Sequence, residues 1–284
     1  MKKISVIPYI GGKYYLIDEI VPIIEWCASE YSLRNYFELC GGGARMLLNI
    51  SPTLFQHRLY NDIDLGLAKL FACLRDPILT HQMMKKLLDL GYSEETFVQA
   101  QKLYNDEHTD LVTAAAYTYL VAHQSRAGNM NSFNKNGQDN PYYFSTIYGL
   151  QSYSVILKGI DVSCGDALTL LEENNHREDS FCYLDVPYVT ESKLIKGATY
   201  AAEKEKPFDH EGMVNSLLST EMKVALSGYS NHHFYDRLEE NGWRKLFLKD
   251  QFIASSSTTG KTASEYLWIN FRIPKYILHN NMKS

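Results

Sequence analysis

The 284-residue chain lacks several features that would assign it to a specialised class. It has no uninterrupted apolar run of the roughly 18 residues that a membrane-spanning helix needs. Its five cysteines are scattered and form no Cys-x-x-Cys pair, which argues against a disulfide scaffold or a zinc site. The two lysines near the N-terminus precede no apolar stretch of the signal-peptide kind. We therefore expect a cytoplasmic protein with no membrane partner and no bound metal.

An excess of positive charge is also missing. The formal net charge is −5 and the isoelectric point is about 6.0. Domains that bind nucleic acid are more often basic, so the average charge argues mildly against that class. The hydrophobic share of 45% is ample for a sizeable core.

Two strand–turn–helix patterns follow each other early in the chain. A strand predicted at residues 36–40 leads through Gly41-Gly42-Gly43 into apolar residues 46–48, which predict a helix start. A second predicted strand, residues 58–60, precedes a predicted helix over residues 65–74. This repetition is typical of an α/β protein with a doubly wound parallel sheet.

The middle of the chain changes character. Residues 76–124 carry helical patterns almost throughout, and residues 125–143 form a polar loop rich in Asn and Gly. A helical insertion inside an α/β frame predicts a separate lobe. The remaining predicted elements are helices at 13–30 and 208–220, strands at 160–164, 181–184, 224–226, 243–248 and 266–271, and a polar loop at 255–264.

Three motifs could carry chemistry. The three glycines between a strand and a helix suit either a ligand loop or a tight turn, and they do not match the Gly-x-Gly-x-x-Gly pattern. Asp62 ends the next strand, where it could bind ribose hydroxyls or cap a helix, and Asp64 competes for either role. Residues 185–188, Asp-Val-Pro-Tyr, follow a buried strand and could hold a planar amine, although such a turn is common.

Taken in order, these motifs resemble the Dam-type DNA adenine methyltransferases, which transfer a methyl group from S-adenosylmethionine to adenine N6. The resemblance covers nearly the whole chain and rests on the ordered set of motifs. It is carried by residues 8–13, 37–44, 60–62, 133–137, 140–142, 164–167, 185–188, 227–229 and 255–270. It implies a Rossmann-like catalytic domain, residues 1–75 and 150–284, and a helical target-recognition insertion, residues 76–149.

The resemblance implies a role for each matching residue. The cofactor-binding residues would be Tyr9, Lys13, Glu38, Gly41, Gly42, Gly43, Asp62, Asp166 and Ala167. The catalytic residues would be Asp185, Val186, Pro187 and Tyr188, with the target adenine flipped out of the duplex. The DNA-binding residues would be Arg126, Asn134, Lys135 and Lys261.

The chain departs from the family pattern at several positions. Val186 replaces the first proline of the Asp-Pro-Pro-Tyr signature, but its backbone carbonyl can still accept a hydrogen bond. Leu39-Cys40 and Ala44 alter the glycine loop, and Ser132 stands where a base-reading arginine often sits. The recognition sequence is therefore not predicted.

The resemblance further implies double-stranded DNA as the partner, a cognate restriction endonuclease as a second candidate partner, and a monomer. Two alternatives stay open: a methyltransferase acting on cytosine N4 or RNA adenine, and a catalytically weak DNA-binding homologue. A dinucleotide-dependent oxidoreductase is disfavoured by the broken glycine pattern. An α/β domain of another role is the remaining possibility.

The charge is unevenly distributed along the chain. Residues 241–284 hold seven Lys/Arg against two Asp/Glu, which leaves a net charge of −10 on the preceding 240 residues. Residues 192–206 add four Lys against two Glu. The segments that the resemblance turns toward DNA are thus basic, and we expect phosphate-directed, salt-dependent binding.

Overall fold

The computed structural model describes residues 3–137, 141–187, 207–229, 233–253 and 261–278, without the side chains of 251–253 and 261–263. The helices are α1 (Ile17–Glu30), α2 (Leu65–Leu74), α3 (Pro77–Leu90), α4 (Glu94–Leu103), α5 (Leu111–Gln124), α6 (Pro141–Tyr148), α7 (Tyr153–Ile156), α8 (Ala167–Asn174), α9 (His210–Leu218) and α10 (Asp236–Glu240). The strands are β1 (Asn35–Glu38), β2 (His57–Asn61), β3 (Asp161–Ser163), β4 (Ser180–Leu184), β5 (Lys223–Tyr229), β6 (Arg244–Ile253) and β7 (Lys261–Ile269). The fold class is α/β, as predicted.

The chain divides into two compact units. The first, here unit 1, comprises residues 1–14, 41–52 and 57–164, and the second, unit 2, comprises residues 15–40, 53–56 and 165–284. No helix in the described part of either unit is long and apolar enough to cross a membrane.

Unit 1 is mainly helical. Strands β2 and β3 pair in parallel, and helix α5 is buried along almost its whole length because α2, α3 and α4 pack around it. Helices α2 to α5 begin at acidic or hydroxyl residues whose side chains accept backbone N–H groups of the first turn. These N-caps are Asp64, Asp76, Ser93 and Asp110. The helical reading of residues 76–124 is confirmed.

The described residues of unit 2 form five strands in the order β1-β4-β5-β7-β6. Strands β1, β4 and β5 are parallel, and the antiparallel pair β7 and β6 continues from β5. Every residue of β4 is buried, which accounts for the continuous apolar run that marked this strand in the sequence. The carboxyl ends of β1, β4 and β5 consequently meet at one edge.

Two local predictions differ from the structure. Residues 46–48 are fully buried but lie in successive turns rather than in a helix, because Gly42 and Ala44 adopt positive φ angles of +48° and +53°. Residues 261–264 of the polar loop predicted at 255–264 belong to β7, and residues 255–260 lie outside the described residues. Residues 76–149 all fall within unit 1, and their assignment as a target-recognition domain stays a prediction.

Candidate active site

In unit 1, the glycine turn is fixed by hydrogen bonds to the end of β2. The Gly41 N–H donates to the Asn61 carbonyl at 2.8 Å, and the Gly42 N–H donates to Asp62 Oδ2 at 2.7 Å. The Tyr60 hydroxyl donates to the Gly42 carbonyl at 2.8 Å. A Cβ at position 41 would overlap the Tyr60 ring, so only glycine fits there. The structure therefore brings together the glycine turn and Asp62, to both of which the resemblance assigns a cofactor role.

The Asp62 carboxylate is buried and bound to the backbone. Its Oδ1 accepts the Asp64 N–H at 2.9 Å while Oδ2 accepts the Gly42 N–H. Burial, together with repulsion by the Asp64 carboxylate, raises the Asp62 pKa to about 6. The helix cap of α2 is Asp64, whose Oδ1 accepts the Leu67 N–H at 3.1 Å. Of the two acids, Asp64 therefore caps the helix. The binding of ribose hydroxyls by Asp62 stays a prediction.

The N-terminal segment of unit 1 lies against the same turn. A Cβ at Gly42 would lie 2.9 Å from the Tyr9 ring, so this ring covers the turn. Pro8 is in turn covered by Gly128, where a Cβ would lie 2.8 Å from the Pro8 carbonyl carbon. Lys13 is buried, although lysines are rarely fully buried in proteins. The structure therefore places the predicted Tyr9 at the glycine turn.

Arg45 is a residue that the sequence reasoning missed. Its guanidinium is buried and donates to the Ser5 hydroxyl and, at 2.7 Å, to the Ile7 carbonyl. It also lies over the Tyr14 ring at 5.8 Å. Arg45 thereby attaches the N-terminal segment to the chain just after the glycine turn. An arginine two residues beyond a glycine run was the only signal in the sequence.

In unit 2, Asp185 follows the last residue of β4. The register pairs Leu184 with Leu226, so Asp185 and Ser227 come next on neighbouring strands. The Ser227 hydroxyl lies 3.1 Å from Asp185 Oδ1 and 3.4 Å from the Leu184 carbonyl oxygen. Its oxygen also lies 3.1 Å from the Tyr183 hydroxyl. The predicted catalytic carboxylate is therefore held at the carboxyl edge of the sheet.

Glu38 ends β1 at the same edge of unit 2. It is buried, and the Tyr36 hydroxyl donates to its Oε2 at 2.7 Å. The register pairs Glu38 with Tyr183, two residues before Asp185. Burial, reinforced by the Glu38 charge, raises the pKa of Tyr36, so the tyrosine stays a hydrogen-bond donor. The predicted cofactor acid and the predicted catalytic acid thus share one edge.

The remaining predicted site residues of unit 2 differ in how deeply they are buried. Asp166 is exposed and caps α8, with Oδ1 accepting the Leu168 N–H at 2.9 Å, while Ala167 is buried. Val186 is buried and Pro187 is half-buried. Tyr188 lies outside the described residues, as do residues 192–206 and the side chain of Lys261.

The predicted DNA-binding residues of unit 1 lie on one loop after α5. Arg126 and Lys135 are exposed, and Asn134 is half-buried. The Arg126 N–H donates to the Ser132 carbonyl at 2.9 Å, which folds the loop back on itself. Lys135 Nζ lies 3.3 Å from Glu94 Oε2, but both side chains are largely exposed, so this ion pair contributes little. The cationic groups are therefore available to an external partner.

Each unit by itself carries groups that suit a polar ligand. In unit 1 the glycine turn lies beside the buried Asp62 carboxylate. In unit 2 the buried Glu38 carboxylate and the half-buried Asp185 carboxylate, which lies beside hydroxyls, can accept from hydroxyl or amine groups. Among the described residues no group of three or more His, Cys, Asp and Glu could hold a metal ion.

Comparison with known proteins agrees with this chemistry. A model of the family described as D12 class N6 adenine-specific DNA methyltransferase matches residues 9–252, which is most of the chain. A curated relative, the modification methylase StsI of Streptococcus sanguinis, is 26% identical over 285 residues. The match covers 97% of this chain but only 39% of the length of that relative.

Proposed function

Because the chain belongs to the D12 class of N6 adenine-specific DNA methyltransferases, we propose that it transfers a methyl group from S-adenosylmethionine to adenine N6 in double-stranded DNA. The observation that carries this proposal is the Asp185 carboxylate, held at the carboxyl end of a buried parallel strand by Ser227. In open α/β sheets that edge is where ligands bind.

The residues present fit the cofactor. The glycine turn is hydrogen-bonded to the Asp62 carboxylate, which directly follows β2, and Glu38 ends β1, so both acids stand at the strand ends where an α/β sheet binds its ligands. The residues that would hold it are Tyr9, Lys13, Glu38, Gly41, Gly42, Gly43, Asp62, Asp166 and Ala167. When bound, S-adenosylmethionine would supply a methyl group activated by its positively charged sulfur.

The catalytic segment would hold the target amine. An adenine amino group is inaccessible inside the duplex, so the base must be flipped out. The Asp185 carboxylate and the Val186 carbonyl would accept its two N–H groups, and Tyr188 would stack on the ring. The carboxylate would also stabilise the positive charge that develops on the amino nitrogen. Catalysis would then come from holding the target amine in position and from stabilising the charge that develops on its nitrogen.

The exposed cations on the loop after α5 would contact DNA. Arg126 and Lys135 of this loop, together with Lys261 at the start of β7, would bind phosphates, and Asn134 would reach base edges. Residues 76–149 would form the target-recognition domain. We also propose a monomer in the cytoplasm, with a cognate restriction endonuclease as a partner.

A methyl-transfer assay tests the proposal. The protein is incubated with methyl-labelled S-adenosylmethionine and, separately, with unmethylated double-stranded DNA, single-stranded DNA or RNA. We expect label in double-stranded DNA. Asp185→Ala should abolish transfer while cofactor binding, measured by calorimetry, is unchanged. Label in RNA alone, or full transfer by Asp185→Ala, would contradict the proposal.

A further inference from the structure

Three side chains at the edge of unit 2 form a continuous row of polar groups. Residues 183 and 185 on or after β4, and residue 227 on β5, share one face because side chains alternate along a strand. The Tyr183 hydroxyl lies 3.1 Å from Ser227 Oγ, and Ser227 Oγ lies 3.1 Å from Asp185 Oδ1. The three groups therefore lie in series from the sheet interior to its edge.

The direction of the hydrogen bonds follows from the chemistry of the groups. An ionised carboxylate only accepts, so the single hydroxyl proton of Ser227 points to Asp185 Oδ1. The Ser227 oxygen can then accept the proton of the Tyr183 hydroxyl. The Leu184 carbonyl, at 3.4 Å from Ser227 Oγ, is a longer and weaker acceptor for the same proton.

The hydroxyls of Ser227 and Tyr183 are buried and therefore need hydrogen-bond partners within the protein. Ser227 is fully buried and Tyr183 almost so. A buried hydroxyl without a partner costs free energy, and an apolar residue would fill the same space without that cost. The two buried hydroxyls are explained if Tyr183 donates to Ser227 and Ser227 donates to Asp185.

We infer that Ser227, supported by Tyr183, is a positioning residue that sets the orientation of the Asp185 carboxylate toward the target amine. The inference rests on the proposed methyl transfer, in which the plane of that carboxylate decides where the amino lone pair points. A bond to Oδ1 fixes the rotation of the carboxylate about its Cβ–Cγ bond. Tyr183 acts one step further back, by fixing the proton of Ser227.

The test uses Ser227→Ala, Tyr183→Phe and the double variant in the full chain. We expect Ser227→Ala to lower kcat by roughly 10- to 100-fold, with the KM for DNA and the dissociation constant of S-adenosylmethionine unchanged, since misorientation affects the transfer step. Tyr183→Phe should lower kcat less. The double variant should match Ser227→Ala, because Tyr183 acts through Ser227. Effects that multiply, or a loss of cofactor binding in parallel with kcat, would overturn the inference.

Ser180→Ala is the matched control. Ser180 is a fully buried hydroxyl at the opposite end of β4, where its oxygen accepts a hydrogen bond of 3.2 Å from Asn35. The Ser180→Ala variant should lose about as much thermal stability as Ser227→Ala but keep the wild-type kcat. An equal fall of kcat in both variants would assign the Ser227 effect to stability and overturn the inference.

A second readout does not depend on the reaction. A crystal structure of ligand-free Ser227→Ala should show the Asp185 carboxylate rotated away from its wild-type rotamer. If wild-type protein transfers no methyl group, the proposed function fails. The Asp185 rotamer in Ser227→Ala still tests whether Ser227 orients the carboxylate. An unchanged Asp185 rotamer would overturn it. If Ser227→Ala does not fold, Tyr183→Phe, which removes one oxygen, carries the same comparison.

Discussion

The backbone N–H of Gly42 donates a 2.7 Å hydrogen bond to the carboxylate of Asp62, twenty residues further along the chain. This bond joins the glycine turn to the end of β2 within unit 1. Its acceptor is a buried carboxyl whose pKa is raised to about 6, chiefly by that burial. The contact that shapes the turn therefore depends on a group that changes charge near neutral pH.

The raised pKa of Asp62 predicts a pH-dependent stability. The folded carboxyl keeps its proton to higher pH than the unfolded one, so the free energy of unfolding falls as pH rises from 3.8 toward 6. A shift of this size corresponds to about 3 kcal/mol. Relative to Asp62→Asn, the wild type should lose most of that amount, about 2 kcal/mol, between pH 4 and pH 7 in urea unfolding experiments. A constant difference between the two proteins would contradict the assignment.

Gly41→Ala should distort the glycine turn. The added Cβ would overlap the Tyr60 ring, whose hydroxyl binds the Gly42 carbonyl. We expect a loss of about 1–3 kcal/mol in stability and at least tenfold weaker cofactor binding by calorimetry. Gly149→Ala is the control, because its Cβ would come no closer than 3.4 Å to any neighbour. Equal cofactor affinity in both variants would refute a ligand role for the turn.

Arg45→Met should release the N-terminal segment while keeping most of the side-chain volume. It removes the donors that bind Ser5 and the Ile7 carbonyl. We expect faster amide hydrogen exchange over residues 4–9 and weaker cofactor binding, since Tyr9 covers the glycine turn.

The control for this prediction is Arg58→Met. Arg58 is equally buried in unit 1 and donates to the carbonyls of Ile156 and Lys158, which are not in the candidate site. Its replacement should lower stability and leave the cofactor affinity unchanged. The same loss of affinity in both variants would show that Arg45 acts only through stability.

The exposed cations of the loop after α5 should contact DNA phosphates. Arg126→Ala and Lys135→Ala should each reduce the slope of log K against log salt by about 0.9, the effect of one lost phosphate contact on duplex DNA. Lys158→Ala, an exposed lysine outside this loop, should keep the wild-type slope. Binding measured by fluorescence anisotropy from 50 to 200 mM salt decides this, and unchanged slopes in the loop variants would remove the loop from the interface.

The predictions from sequence succeeded where one local pattern dominated. The buried run at β4 and the helices of residues 76–124 follow from the pattern of apolar residues. The helix expected at residues 46–48 failed because a short apolar run fits a buried turn equally well. The positive φ angles of Gly42 and Ala44 determine the turn conformation of this segment.

Long-range contacts of the candidate site could not be predicted from sequence. Ser227 comes beside Asp185 only through the register of β4 and β5, and the pairing of two parallel strands is not visible in either segment alone. The contact between Arg45 and Ser5, which are 40 residues apart, likewise depends on tertiary packing and not on a local pattern. Asp62 and Asp185 were proposed because strand ends are visible locally, and Glu38 because of the family resemblance, whereas the hydrogen-bond partners of the three acids depend on tertiary packing.

The methylated nucleoside in the product DNA tests the proposed reaction most directly. Wild-type protein is incubated with methyl-labelled S-adenosylmethionine and unmethylated double-stranded DNA, and the DNA is digested to nucleosides and analysed by mass spectrometry. We expect label in N6-methyldeoxyadenosine, and no label when Asp185→Ala replaces the wild type. Label in N4-methyldeoxycytidine, or unlabelled DNA from a protein that binds the cofactor, would show that the protein does not methylate adenine N6.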